Sequence, residues 1–130
     1  MNTNDIAYMA GLFDGEGSVS YYQRKEKRKG KKKAYNFWII RCEISMTDKY
    51  VIEWLHKTLG FGSFHERKAH KSWLGKKNQW RWCCSYQDAL QFAKLIWPHA
   101  QVKLHKIEQI IDHYDPEYNT ENIVALEDYR

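Results

Sequence analysis

The chain has 130 residues, a net charge of +5 and a pI near 9.1, a length that supports one domain around a single core and leaves no room for a second. No apolar run approaches membrane-spanning length, and no basic stretch followed by an apolar block opens the N-terminus. Neither membrane insertion nor secretion is therefore expected, and an intracellular location, in the cytoplasm or an organelle matrix, is. Cys42, Cys83 and Cys84 show no paired spacing and the six histidines lack ligand spacing, which argues against a disulfide framework and a structural zinc site. The charge is uneven: residues 1–114 hold 20 basic against 11 acidic groups (+9), and residues 115–130 hold one against five (−4), which together give the net +5. A basic body favours a polyanionic partner such as nucleic acid; the alternative is a solvated basic surface.

In chain order, the first pattern is a helix that Asn4 or Asp5 can cap. It runs through Tyr8 to Ser18, YMAGLFDGEGS. Ala7, Gly11 and Gly15 recur every fourth position, so one helical face carries almost no side chain and another backbone can pack on it. That face suits either a second copy of the helix or ordinary packing within the chain. Asp14 and Glu16 leave its end. Ser18 to Lys25 alternates as a strand, with Ser20, Tyr22 and Arg24 on one side, and the almost wholly basic Glu26 to Lys33 follows as a loop or turn.

Tyr35 to Met46 is the clearest strand: Trp38, Ile40, Cys42, Ile44 and Met46 face the core, and Arg41, Glu43 and Ser45 face water. Thr47 or Asp48 caps a helix that runs to Leu59 and stops at Gly60. Val51, Trp54, Leu55 and Leu59 form its apolar stripe. Phe61 to Arg67 and Gln79 to Ser85 are strands around a second basic loop, the latter with Trp80 and Trp82 inward and Gln79, Arg81 and Cys83 outward. Helices follow over about Tyr86 to Ile96, ending near Pro98, and over about Val102 to Tyr114. Their buried stripes are Leu90, Phe92, Ala93 and Leu95, then Ile107, Ile110 and Ile111. The acidic segment 115–130 is expected to pack on the body through Ile123, Val124 and Leu126. The order α-β-β-α-β-β-α-α predicts an α+β fold, a four-stranded antiparallel sheet with helices on one face.

The uncovered face then carries Ser20, Tyr22, Arg24, Arg41, Glu43, Ser45, His65, Arg67, Gln79 and Arg81. Arg reads guanine, Gln reads adenine and a carboxylate accepts from cytosine, so this set suits the major groove of DNA. Lys25 to Lys33, with Lys68, Lys71, Lys76 and Lys77, would hold the phosphate backbone. An ordinary solvated sheet face is the alternative.

Met9-Ala10-Gly11-Leu12-Phe13-Asp14-Gly15-Glu16-Gly17 resembles the signature of the LAGLIDADG homing endonucleases, with the same or a closely similar residue type at most positions and acids at both acidic positions. By this resemblance the sheet is saddle-like and the chain is a single domain, 1–130, of the one-signature, homodimeric class. The resemblance implies a site-specific double-strand DNA endonuclease that cuts a long pseudo-palindromic site by Mg2+-dependent phosphodiester hydrolysis, Mn2+ substituting, and leaves 3′ overhangs. It further implies that Glu16 and the Gly15 carbonyl bind the metal, that Lys103 organises active-site water, and that Asp48 falls where relatives use a polar side chain in the same solvent network or else caps its helix. The dimer interface would comprise Ala7, Ala10, Gly11, Asp14 and Gly15. Two other functions remain open on this fold: an RNA maturase whose partner is its own intron RNA, and a non-catalytic DNA-binding regulator.

Overall fold

The computed structural model describes residues 1–26, 30, 33, 35–69 and 77–118. Helix α1 spans Thr3–Glu16 and starts earlier than expected, because Asn2 rather than Asn4 or Asp5 caps it. The Asn2 side chain accepts the Asp5 N–H at 2.8 Å and the Asp5 carboxylate accepts the Asn2 N–H at 3.3 Å, a reciprocal capping box that satisfies two backbone donors at the helix start. Strands β1 (Gly17–Glu26) and β2 (Tyr35–Met46) follow. Helix α2 (Lys49–Leu59) is capped by Asp48, which accepts the Val51 N–H at 3.2 Å, and ends on Gly60 in the left-handed conformation. Strands β3 (Ser63–Arg67) and β4 (Gln79–Ser85) and helices α3 (Gln87–Ile96) and α4 (Leu104–Tyr114) complete the described elements. The second basic loop, at residues 70–76 with Lys71 and Lys76, lies outside the described residues, as do 27–29, 31–32, 34 and the acidic segment 119–130 with Ile123, Val124 and Leu126.

The sheet is antiparallel with strand order β1-β2-β4-β3. The four helices pack on one of its faces, as the α+β reading requires. Ile40, Cys42 and Ile44 of β2 and Trp82 and Cys84 of β4 are buried beneath them, while Trp38 and Met46 are half-buried at the two ends of the row. Phe92 is the hinge of this core, 4.8 Å from the Trp82 ring and 5.3 Å from that of Phe13 on α1. In α2 the fully buried residues are Ile52, Leu55 and Leu59, with Val51 and Trp54 only half-buried. The stripe is rotated by one position because Trp54 turns toward α1, where it meets Tyr8 edge-on at 5.3 Å. Similarly, α3 buries Ala89 and Ile96 beside Phe92 and Ala93, leaving Leu90 and Leu95 half-covered. The stripe of α4 is Ile107, Ile110 and Ile111, as expected.

Cys42 and Cys84 face each other across β2 and β4. A hydrogen bond to Cys42, and then burial, pushes the Cys84 thiol far above its usual range, so this pair is inert core filling rather than a nucleophile.

Gly62 pins the start of β3. It has φ +86°, and a Cβ there would lie 2.9 Å from the Cys83 carbonyl oxygen and 2.6 Å from Trp82 Nε1, the group that donates to the Phe61 carbonyl. Gly62→Ala is therefore expected to destabilise the fold by about 2–4 kcal/mol, measured as a shift of the urea unfolding midpoint at unchanged m-value.

Candidate nucleic-acid interface and catalytic corner

Residues opposite one another in an antiparallel pair share a face, so the register defines the sheet surface away from the helices. Across it run His65–Arg81–Ser45, then Ser63–Cys83–Glu43–Ser18, then Ser85–Arg41–Ser20, with Arg67–Gln79 at one end and Tyr22–Ile39 and Arg24–Phe37 toward the other. The structure brings all ten sequence-selected residues, Ser20, Tyr22, Arg24, Arg41, Glu43, Ser45, His65, Arg67, Gln79 and Arg81, to this one surface, and none of them is buried. Sequence reasoning left out Phe37 and Ile39. Carrying the alternation back from Arg41 finds both, but their apolar character hides them among core candidates.

The middle of the face is prearranged. Ser45 Oγ donates to Glu43 Oε1 at 3.4 Å and Arg81 Nη1 stands 3.7 Å from Glu43 Oε2. On the β3 side, His65 Nε2 and Ser63 Oγ are 3.1 Å apart, and Ser63 Oγ is 3.1 Å from Cys83 Sγ. Among the described residues, Arg81 Nε is the one buried side-chain polar atom without a hydrogen-bond partner. Buried from solvent, this N–H carries the cost of an unmatched donor. A long ion pair at partial exposure contributes little stability; its consequence is to hold two oppositely charged side chains next to each other.

At the β1 edge the sheet meets the C-terminal end of α1. Asp14 Oδ2 accepts the Gln101 N–H and Oδ1 accepts the Lys103 N–H, both at 2.9 Å. Lys103 immediately precedes α4, so the carboxylate sits where the positive end of that helix dipole favours an anion. Lys103 returns the contact, its Nζ donating to the Asp14 carbonyl at 3.2 Å. The structure thereby places Lys103 beside the last turn of α1, next to Gly15 and Glu16.

Glu16 is exposed and, among the described residues, has no hydrogen-bond or ion-pair partner. The final carbonyls of a helix, including that of Gly15, lack intrahelical donors and carry the negative end of the dipole. This corner offers hard oxygen donors, the set that suits Mg2+ or Ca2+ rather than a thiolate-seeking metal. Among the described residues no cluster of three or more histidine, cysteine or acidic groups could hold a metal.

The structure bears on three expectations. The Asp14 carboxylate is engaged within its own chain. Ala10 is fully buried with Met9 and Phe13, because it stands a quarter-turn from Gly11 and points into the core. Asp48 caps α2, one of the two roles expected of it, and no described contact joins it to Glu16 or Lys103. Ala7, Gly11 and Gly15 behave otherwise: all three are exposed, and a Cβ at either glycine would have no neighbour within 4 Å.

No protein-family model matches the chain, and no curated protein matches it. Solved structures do. The homing endonuclease I-CvuI in complex with its target superposes with a TM-score of 0.65 at 14% identity, over 97% of this chain and 75% of that one. The archaeal intron-encoded homing endonuclease I-Vdi141I complexed with DNA gives 0.62 at 14% identity, over 92% and 72%. The homing endonuclease I-TnaI gives 0.52 at 17% identity, over 96% and 97%. At such identities the likeness is one of fold.

Removing the Asp14 clamp tests the corner. Asp14→Ala should cost about 1–3 kcal/mol of unfolding free energy by orphaning two amides at the α4 start, whereas Glu16→Gln should leave stability within about 0.5 kcal/mol of wild type; paired denaturant titrations read both.

Proposed function

We propose that the chain, which has the fold of the LAGLIDADG homing endonucleases, is one protomer of a homodimeric, divalent-cation-dependent endonuclease that cuts both strands of a specific DNA duplex. One observation carries this reading: a carboxylate without a partner among the described residues, Glu16, stands at the electronegative end of α1, where β1 begins its run along a sheet face whose Arg, Gln and Glu side chains suit base edges. DNA lying on that face would pass its backbone over the corner.

Single-chain chemistry is insufficient. Two strands need two cuts, and each chain supplies one Glu16. The exposed Ala7–Gly11–Gly15 seam lets two copies of α1 approach backbone to backbone about a two-fold axis, bringing the two Glu16 groups to either side of it. Glu16 and the Gly15 carbonyl would hold the cation, with water and phosphate oxygens filling the remaining positions. Bound there, the cation supplies Lewis acidity and a water of lowered pKa. Asp14 fixes the angle between α1 and α4, and the Lys103 ammonium it positions adds positive charge toward the phosphate and orders solvent. Two such corners facing across a minor groove cut with a 3′ stagger, on a recognition site with approximate two-fold symmetry.

Two substitutions test the reading. Glu16→Gln is expected to lower Mg2+-dependent cleavage of a library-selected duplex by at least ~10²-fold while leaving its dissociation constant within about twofold. Unaltered cleavage would falsify the metal assignment, and uncut but tightly bound DNA for the wild type in Mg2+ would make the protein a regulator. Gly11→Leu fills the seam and should convert the DNA-bound dimer to monomer in analytical ultracentrifugation, with loss of double-strand cutting; a dimer that survives it would place the interface elsewhere.

A further inference from the structure

Phe37 and Ile39 break the polar character of the open face. The register sets Ile39 beside Tyr22 and Phe37 beside Arg24. Tyr22 is 50% exposed, and Phe37 and Ile39 are half-buried with none of the described helices over them, since their neighbours Trp38 and Ile40 are the residues that turn inward. The Tyr35 ring, 5.9 Å from that of Phe37, extends the patch. Apart from Cys83, the remaining outward residues of the described strands are Arg, Gln, Glu, His and Ser, so an apolar patch is out of place there for plain solvent exposure, and such patches mark recognition surfaces.

Its surroundings decide the occupant. On its own face Arg24 and Arg41 flank it, with Glu26 opposite Tyr35 at its outer end, so the neighbouring charge is net positive and favours an anionic occupant. The one apolar group that duplex DNA displays in its major groove is the thymine C5-methyl. We propose that Tyr22, Phe37 and Ile39 form a thymine-methyl pocket, so that the outer part of each half-site is read by apolar contact and the part nearer the cut by the Glu43–Arg81 group. This rests on the endonuclease reading above and specifies its substrate. Distance places the contacted bases: β1 leaves Glu16 and reaches Tyr22 after six residues and Arg24 after eight, about 20–26 Å at the rise of a strand. At about 3.4 Å per base pair this is roughly six to eight base pairs from the scissile step.

The test is a methyl-deletion scan. The full-length wild-type chain, held in chelator so that no cation-driven cleavage intervenes, is titrated with its library-selected duplex and with duplexes in which single thymines are replaced by uracil, which deletes only the methyl. One to three substitutions clustered in that outer span of each half-site should weaken binding about three- to fourfold each, the value of one buried methyl, and thymines nearer the centre should change it by less than about 1.5-fold. In Ile39→Ala the outer penalties should shrink toward unity, because the methyl has lost its partner. A selected site without thymine on either strand of the span overturns the inference, as does a flat scan or penalties that Ile39→Ala leaves intact. Each of those outcomes leaves DNA binding standing, whereas failure to bind any duplex overturns the endonuclease reading as well.

Discussion

The carboxylate of Asp14 joins the two halves of the candidate active corner. It is the last-turn side chain of α1 and at the same time the anion at the start of α4, accepting two backbone amides that would otherwise face the helix end without partners. Because Lys103 both donates its amide to Asp14 and sends its ammonium back to the Asp14 carbonyl, the contact fixes position and orientation together. Glu16, two residues further on, inherits that placement and makes no hydrogen bond or ion pair among the described residues.

One-sided burial does the rest. The helices cover a single face of the sheet, so the period-two alternation of each strand becomes a division between core and interface. The same β2 strand that buries Ile40, Cys42 and Ile44 must present Ile39, Arg41, Glu43 and Ser45 outward. A register slip of one residue would exchange the two sets. The buried Trp82–Phe92–Phe13 ring cluster, which ties β4 through α3 to α1, therefore holds the corner and the open sheet face to one geometry.

Ala7, Gly11 and Gly15 leave α1 bare on the side away from the core, and Glu16, exposed at the end of the same helix, has no hydrogen-bond or ion-pair partner among the described residues. Under the proposed function a symmetry-related copy and a duplex would cover both. Helix–helix contact through glycine is close, so the distance between two such acids would be set by backbone thickness rather than by flexible side chains.

Much of this was legible in the sequence, because hydrophobic period and capping chemistry are local. The alternation of Tyr35–Met46, the caps at Asp48 and Gly60 and the bare stripe on α1 are all statements about neighbours along the chain, and they predicted the element order and the membership of the outward face. Local pattern could not distinguish the fates of Asp14 and Ala10: both lie in the signature, yet one bonds amides nearly ninety residues away and the other turns into the core. Nor could it separate Ile39 and Phe37 from buried strand residues, since an apolar side chain looks the same in a sequence whichever way the pleat turns. The sequence by itself thus determined which residues could act and on which elements they ride. Tertiary structure alone decided which of them meet, because long-range hydrogen bonds and the side of the sheet that the helices cover depend on how distant segments pack.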